Sequence, residues 1–369
     1  MSPTSVDAPS GDRADRRIPA LDVTRAVALV GVVVMNFHGY LNGDGRPSVA
    51  IERLLDVSSG VLSGRFAAVF VLVAGVAITV GRPEVDGDPV RVSGHRRRLL
   101  RRGAVLMLAG MALDHAWPGT IIFYYGVYFI LASTFFNTRT RTIVSIGATA
   151  AVGAAVIATW EAVRRADGHS TAWLHPGSPD DPRDFLLRTM VDHTHPVLPW
   201  LAFLCVGMVI GRYYTTFARR ATTVALTSIP LTAVVYAAVA ILDSADLRGG
   251  TVVHALTSMQ PFRRGLLFTT TTIGIAVTSL ALVVAITERA ASASLDALRR
   301  TGQLTLSLYL SHVVVFYVVT RWTHLVEPGR WNGLLLGIVF WIIAVPTAAG
   351  WHRRYGRGPA ERLYRLVGG

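Results

Sequence analysis

The sequence contains no lysine and a single cysteine, Cys205, so all 36 basic residues are arginine and no internal disulfide can form. Charged residues are also scarce, at 16% of the chain, against about 25% in ordinary soluble domains. Hydrophobic residues instead make up 51% of the chain, and the mean hydropathy is +0.44. This composition excludes a soluble enzyme, a disordered chain and a disulfide scaffold. It indicates a membrane protein with several spanning helices.

The arginines give the chain a net charge of +13. Such a charge would suit a nucleic-acid-binding protein if the arginines formed one surface. They flank the apolar segments instead, as basic residues do in the cytoplasmic loops of membrane proteins. We therefore expect membrane lipids and no nucleic acid as partners. Cys205 lies inside an apolar run, and we interpret it as a small core residue.

About ten apolar windows have the length of a spanning helix, which needs about 20 residues. They lie near residues 20–40, 63–81, 99–114, 118–136, 142–160, 196–214, 221–242, 265–287, 302–320 and 333–350. The polar stretch 1–19 is rich in Pro, Ser and Asp, which predicts a disordered tail. The prediction is an all-α membrane bundle of about ten transmembrane helices over residues 20–350, followed by a short tail at 351–369.

Loop charges orient this bundle. If the amino terminus is cytoplasmic, the loop at 81–102 is also cytoplasmic, and it carries seven arginines against three acids. The 161–195 loop then lies outside, with six acids against four arginines. Both distributions follow the positive-inside rule, which predicts cytoplasmic termini at both ends of the chain.

The first predicted helix carries polar residues on one face. Arg25, Leu29, Val32 and Asn36 follow 4-3-4 spacing, and Asp22 precedes Arg25 by three residues. Arg25 and Asn36 are then separated by about 16 Å along the helix axis. Because polar groups inside a membrane are costly, this face is a candidate site. The alternative is that Asp22 and Arg25 form only an interfacial ion pair.

Two histidines are candidates for proton transfer. His38 follows Asn36 by two residues, so on a continuous helix it points about 200° away from Asn36. Both side chains reach one cavity only if the helix ends near Phe37, and otherwise His38 is an interfacial residue. His312 falls near the middle of the ninth window and shares a face with Tyr309. It is predicted to face the bundle interior, where it either binds a ligand or bridges helices.

Further candidates lie at the predicted outer side. Arg65 opens the second window, where an arginine either snorkels to the interface or contacts a substrate. His195 lies in the stretch DHTHP at 192–196, shortly before Trp200. The spacing of His193 and His195, with no cysteine or glutamate beside them, is a weak metal signal, and we predict no metal.

Five arginines within seven positions mark the predicted cytoplasmic loop after the second window. Such a cluster suits phosphates, either of a nucleotide-bearing cofactor or of anionic lipids. Topology alone would also place arginines in this loop. The residues are Arg96, Arg97, Arg98, Arg101 and Arg102.

Segments along nearly the whole chain are similar to the heparan-α-glucosaminide N-acetyltransferase-like proteins and their YeiB-like bacterial relatives. In family order they are LDVTRA (21–26) with Asn36, SGR (63–65), RRLLRRG (97–103), YYGV (124–127), HPVLPW (195–200), GQLTLSLYLSH (302–312) and RGPAERLYR (357–365). The resemblance implies an integral membrane acyltransferase of the bacterial inner membrane. It also implies acetyl-CoA as the acyl donor and an acceptor on the other side of the membrane.

Asn36 matches an asparagine in the active region of the characterised animal enzyme. The acetyl-accepting histidine proposed for that enzyme lies in the following outer loop, but residues 39–62 of this chain contain no histidine. His38 is the nearest one and is not aligned with it.

On this basis we predict roles for the candidate residues. The catalytic group comprises Asn36, His38, Tyr309 and His312. The donor-binding group comprises Arg25, Arg96, Arg97, Arg98, Arg101 and Arg102. The acceptor-binding group comprises Arg65, His195 and Trp200. The acceptor is expected to be a glycan or lipid of the cell envelope. The sequence does not distinguish a monomer from a homo-oligomer.

The main alternative is a transporter or flippase of an anionic or lipid-linked envelope precursor. Polar groups within the membrane and clustered arginines suit that function equally well. Against it, the sequence shows no inverted repeat and no matched pair of Gly- or Pro-broken helices.

Overall fold

The computed structural model describes residues 18–42, 55–56, 60–80, 88–245 and 249–369, apart from the side chain of Arg330. These residues form helices, turns and connecting segments without a strand, so the all-α prediction is confirmed for them. All but the last two residues of the predicted amino-terminal tail lie outside this part of the chain.

The helices occur in the following order, with two single 3-10 turns at Ala172–Leu174 and Pro261–Arg263. They are α1 (Pro19–Leu41), α2 (Arg65–Val80), α3 (Pro89–Asp114), α4 (Ile121–Phe135), α5 (Thr140–Ala166), α6 (Pro182–Met190), α7 (Val197–Arg212), α8 (Tyr214–Arg219), α9 (Ala221–Ser244), α10 (Thr251–Thr257), α11 (Leu266–Arg289), α12 (Ala293–Gly302), α13 (Thr305–Tyr317), α14 (Arg330–Tyr355) and α15 (Pro359–Gly368). Helix α13 continues into a π-helical turn at Val318–Trp322.

A helix occupies each of the ten predicted windows, but fewer are long and apolar enough to cross a membrane. Within the described residues five pass that criterion: α1, α5, α9, α11 and α14. Helices α12 and α13 make a sixth if they count as one span bent by 80°. Helices α2, α4 and α7 have only 15 or 16 residues, because the windows ran past their ends into turns. The chain is a multi-pass membrane protein, while the count of ten and the side of each terminus stay predictions.

Helix α1 runs through the middle of the bundle. Pro19 occupies its first turn, where the missing N–H costs nothing, and Asp22 lies near the positive end of the helix dipole. It packs against α2, α11, α12, α13 and α14. The contact with α12 is close because a Cβ added at Gly302 would lie 1.8 Å from the carbonyl oxygen of Asp22. Glycine at 302 therefore allows α12 to cross the start of α1.

Helices α2 and α7 are packed equally tightly. A Cβ at Gly207 of α7 would lie 2.0 Å from the backbone oxygen of Leu72, so α2 can approach only a glycine there. Such small-residue contacts are typical of helices packed in membranes. Gly75 of α2 makes the reciprocal contact, since a Cβ there would lie 2.1 Å from the backbone oxygen of Leu204.

The two ends of the bundle differ in composition. The arginine-rich end carries the start of α1, Arg97, Arg98 and the end of α14. The cavity end carries Asn36 near the other end of α1, together with Thr194 and His195.

Candidate active site

A cavity of about 310 Å³ opens at the cavity end of the bundle, at the lower limit of ordinary ligand pockets. Its wall is largely apolar, with contributions from Met35, Phe66, Trp117, Ile121, Trp200 and Phe262. A few polar side chains interrupt this wall: Asn36, Tyr40, Ser63, Thr194, His195 and Tyr309. An apolar cavity with few convergent polar groups is the usual form of a small-molecule site.

Asn36 is held in the cavity wall by His312. The ring nitrogen Nδ1 of His312 is hydrogen-bonded to the backbone oxygen of Tyr309. Because a carbonyl oxygen only accepts, Nδ1 carries the proton and Nε2 has a lone pair. Nε2 lies 3.3 Å from Nδ2 of Asn36, which therefore donates to it. The second N–H and the oxygen of the Asn36 amide are left for a ligand.

His312 itself is fully buried and lies behind this wall. The prediction that it faces the bundle interior is confirmed. Its ring packs edge-on against Trp117, with 5.2 Å between ring centroids, and against Tyr309 at 4.8 Å. The structure therefore places His312 as the residue that orients Asn36.

Tyr309 and Tyr40 approach the cavity from opposite helices. The hydroxyl of Tyr309 lies 3.1 Å from Oγ1 of Thr120, a buried residue at the start of α4. The Tyr40 ring lies 4.0 Å from Trp117, and its hydroxyl donates to the backbone oxygen of Pro118. The 117–120 turn between α3 and α4 thus fixes both tyrosines.

His195 has a defined tautomer in the cavity wall. The hydroxyl of Thr194 donates to the backbone oxygen of Gly119 at 3.1 Å, so towards His195 it can only accept. His195 Nδ1 lies 2.9 Å from that hydroxyl oxygen and must carry the ring proton. The lone pair is then on Nε2. Burial, and after it the charges of His193 and Arg264, lower the pKa of His195 to about 3, so the ring is neutral near pH 7.

The segment that carries His195 is anchored on both sides. Arg264 is buried and donates to the backbone oxygens of Val191 and His193. On the other side, His175 Nδ1 lies 2.8 Å from Asp192, and its Nε2 contacts Glu161 at the end of α5. We call Glu161, His175 and Asp192 the histidine clamp.

Both nitrogens of His175 face carboxylates, and only the protonated ring can donate to both. Burial alone would lower the pKa of His175, but its hydrogen bonds to Asp192 and Glu161 outweigh this and raise the pKa above its ordinary value. The histidine clamp therefore favours the charged ring, whereas the cavity wall favours a neutral one at His195.

The other predicted acceptor residues have different positions. Trp200 is buried in the cavity wall, 4.6 Å from the His195 ring. Arg65 is 3% exposed and lies behind Ser63 and Gly64 rather than among the lining residues. Its guanidinium donates to Ser63, Tyr236 and Met259, and lies 4.6 Å from the Phe268 ring.

His38 does not join this site. Helix α1 continues to Leu41 rather than ending near Phe37, so His38 stays on the side away from Asn36. It is fully buried, and its backbone lies against Gly333 of α14. The structure thus brings together Asn36, Tyr309, His195 and Trp200, but leaves His38 outside the cavity wall.

The predicted donor-binding arginines lie at the arginine-rich end and fall into two groups. Arg101 and Arg102 donate to the backbone oxygens of Val367 and Gly369, and Arg96 donates to Ser133. Arg97 and Arg98 are exposed on α3.

Arg25 belongs to a polar chain at the same end. Its guanidinium donates to Asp22 at 2.9 Å, and the other carboxylate oxygen accepts from Gln303 at 2.8 Å. The Gln303 oxygen lies 2.6 Å from Nε2 of His352. Asp22 and Arg25 thus form the predicted ion pair, which also joins α1 to α14 through Gln303.

Sequence reasoning missed Tyr40, Trp117, Thr120 and Thr194. The first three come from the end of α1 and from a turn, and they carry no spacing signal of their own. Thr194 directly precedes the predicted residue His195, so the sequence indicates that it lies near the site but not that it hydrogen-bonds the His195 ring. Within the described ranges no group of three or more His, Cys, Asp or Glu residues has the arrangement of a metal site.

Comparison with known families gives two matches that together cover residues 17–368. The sequence model described as heparan-alpha-glucosaminide N-acetyltransferase, catalytic, matches residues 17–241, which is more than half of the chain. A second one, described as a protein of unknown function (DUF418), matches residues 215–368. No curated protein and no solved structure matches the chain. The chain therefore belongs to the heparan-alpha-glucosaminide N-acetyltransferase catalytic family and its YeiB-like membrane relatives.

Proposed function

We propose that the chain is a transmembrane acyltransferase that moves an acyl group, by family precedent acetyl, from cytosolic acyl-CoA to an acceptor at the cavity end. The positive-inside rule supports a cytoplasmic position for the arginine-rich end. The cavity then faces the outside of a bacterial inner membrane. A glycan or lipid of the cell envelope is the class of acceptor that would meet it there.

The observation that carries the proposal is the pairing of Asn36 with His312 beside the neutral His195. The Asn36 amide can donate a hydrogen bond and the His195 ring can accept a proton, and both residues line the same apolar cavity. Acyl transfer to a hydroxyl or amine needs both functions. The low polarity of the wall strengthens the hydrogen bond that Asn36 would donate to the developing negative charge.

The proposed roles follow from these geometries. Asn36, oriented by His312, donates its second N–H to the acyl oxygen, where negative charge develops during transfer. Tyr309 is a second donor at the same wall. His195 Nε2 accepts the proton of the acceptor hydroxyl or amine as that group attacks the acyl carbon. The C–S bond of the thioester then breaks, and the CoA sulfur leaves with the proton returned from His195. His312 is a positioning residue here, because its lone pair is engaged by Asn36.

Acetyl-CoA, the usual donor of this family, would supply the acyl group as an activated thioester. At the arginine-rich end, exposed Arg97 and Arg98 suit its phosphates, and Arg25 is about a third exposed beside Asp22. Arg101 and Arg102 are engaged by the end of the chain and suit this role less. The rise of α1 between Arg25 and Asn36, about 16 Å, is the distance that the pantetheine arm would have to cover.

The first experiment is the thermal stability of the purified protein across a titration of acetyl-CoA, with CoA and ATP as controls. A ligand at 100 times its dissociation constant stabilises the native state by about 2.7 kcal/mol. A saturable shift with acetyl-CoA and CoA, and a weaker one with ATP, supports a CoA site. No shift at millimolar ligand would contradict the proposal.

One structural observation favours transport as a second candidate. Helices α12 and α13 are bent by 80° at a break of two residues, and discontinuous helices often form substrate sites in transporters. This function predicts movement of an anionic precursor across proteoliposomes without consumption of acetyl-CoA.

A further inference from the structure

Helix α15 has one face fixed to the bundle and one face exposed. The sequence favours two such faces, because Glu361 and Tyr364 lie on one side of the helix and Leu363, Leu366 and Val367 on the other. The exposed fractions of the three apolar residues are 63%, 80% and 52%. Their 3-1 spacing makes one continuous stripe.

The fixed face is bound to the start of α13. Oε1 of Glu361 accepts from the backbone N–H groups of Leu306 and Ser307, at 2.7 and 3.0 Å. Its Oε2 accepts from the Ser307 hydroxyl at 2.5 Å. A carboxylate at a helix amino terminus satisfies free N–H groups and interacts favourably with the helix dipole. Glu361 thus caps the helix that carries Tyr309 and His312.

The other end of α15 is bound to α3. Arg101 donates to the backbone oxygen of Val367 at 3.0 Å, and Arg102 donates twice to that of Gly369, at 3.1 and 2.8 Å. The Arg102 guanidinium also lies 5.8 Å from the Tyr364 ring. In α3 these arginines are directly followed by the apolar stretch that begins at Gly103. The contacts therefore place α15 at the level where the charged part of α3 gives way to its apolar part.

We propose that α15 is an interfacial helix that docks onto anionic phospholipid in the leaflet at the arginine-rich end. The apolar stripe lies at the boundary between headgroups and acyl chains. Arg362 borders the stripe at 100° per residue and is exposed. One of its terminal nitrogens donates to the backbone oxygen of Tyr355, and its other N–H groups would face the lipid phosphates. Arg97 and Arg98 on α3 add positive charge at the same end of the bundle. An apolar stripe with arginine beside it is the pattern of helices bound to anionic membrane surfaces.

This docking has a consequence for the rest of the bundle. Because Glu361 holds the start of α13, lipid bound to α15 stabilises the capped end of the helix behind the cavity. The inference does not depend on acyl transfer, since it concerns only the membrane-facing contacts of α15.

The test uses the full chain in nanodiscs. Cys205 is the only cysteine, so the variant C205A with L366C carries a single reactive thiol for a polarity-sensitive fluorophore. We expect blue-shifted emission, and quenching by spin-labelled lipid, in discs that contain phosphatidylglycerol. In phosphatidylcholine discs both effects should be smaller by at least about twofold. The matched control is C205A with S178C, whose label lies on the exposed loop at the cavity end and should respond to neither lipid.

Two further variants separate the contribution of the arginine charge from that of the apolar stripe. Arg362→Gln should reduce the difference between the two lipids, and Leu363→Ser should reduce quenching in both. A label at 366 that stays in water in both kinds of disc would overturn the proposal, as would equal quenching in both. Unchanged gel-filtration behaviour of each variant shows that a negative result is not caused by unfolding.

Discussion

The two ends of the bundle differ in how they offset the free-energy cost of burying polar groups. At the cavity end, Asn36 and the rings of His195 and His312 are hydrogen-bonded and apolar surroundings enclose them. At the arginine-rich end, the guanidinium groups stay exposed, donate to backbone oxygens or, at Arg25, pair with a carboxylate. A buried charge without a partner is expensive, whereas a neutral hydrogen-bonded group is not. This contrast supports the proposed division, in which acyl transfer takes place at the cavity end and the phosphates of the donor bind at the arginine-rich end.

Asn36→Ala should have the largest effect on activity of the substitutions at the cavity end. It removes the donor aimed at the acyl oxygen, and loss of such a donor typically lowers kcat by about 10²–10³. The measurement is acetyl-CoA consumption by proteoliposomes that contain envelope acceptor extract. The control is Met35→Ala, which alters the same wall without removing a hydrogen bond. Turnover of Asn36→Ala at the wild-type rate would contradict the assigned role.

His195→Gln tests the proton acceptor. Loss of a general base typically costs about 10²–10⁴ in rate. The same assay applies, with His193→Gln as control because His193 does not line the cavity. If both variants lose activity equally, the segment matters only as structure and His195 is not the base.

Arg97→Gln combined with Arg98→Gln tests the arginine-rich end. Exposed ion pairs contribute about 0.2–1 kcal/mol each, so loss of two should raise the dissociation constant for acetyl-CoA about two- to thirtyfold. Equilibrium binding in detergent measures this change. Arg139→Gln, an arginine outside the cluster, should leave the constant unchanged. Equal weakening by both variants would indicate a general charge effect rather than a phosphate site.

His175 and His195 should make the free energy of unfolding depend on pH in opposite directions, and these effects should be smaller than those of the substitutions above. The pKa of His175 is raised in the native state, so its stabilisation is present below pH 6.5 and is lost as the pH rises through the native pKa. For a partly exposed group this is no more than about 1 kcal/mol. The pKa of His195 is about 3 natively and 6.5 in the unfolded chain, so stability falls between these values as the pH decreases.

Thermal unfolding of wild type, His175→Gln and His195→Gln between pH 5 and 8 separates the two effects. In His175→Gln, the unfolding temperature should no longer fall as the pH rises towards 8. In His195→Gln, it should fall less than in wild type as the pH decreases towards 5. Parallel curves for all three proteins would show that neither histidine is linked to folding as described.

Periodicity along single helices was enough to predict part of this site. The 4-3-4 face of α1 indicated Asn36, and the spacing within α13 indicated an inward His312. The motif order also predicted the family, which the family comparison confirms. Trp200 and His195 were predicted from one short stretch and line the cavity. These are local patterns, because residues on one helix face, or within a few positions, are neighbours in any fold.

Contacts between distant parts of the chain were beyond prediction from the sequence. Asn36 and His312 are 276 positions apart, and no local spacing indicates that they meet. His38 is predicted to belong to the catalytic group with Asn36, but the continuation of α1 to Leu41 leaves it outside the cavity wall. Arg101 and Arg102 are predicted to bind the acyl donor, but their guanidinium groups donate to the backbone oxygens of Val367 and Gly369.

Composition and helical periodicity thus establish a membrane bundle and the polar face of each helix, since both follow from the chain's own geometry and its transfer into lipid. They could not establish which helices are long enough to span, because a turn can end a helix inside an apolar window. Nor could they establish which polar faces meet. That depends on the close approaches at glycines such as Gly207 and Gly302, and on hydrogen bonds that must be satisfied between helices in the absence of water.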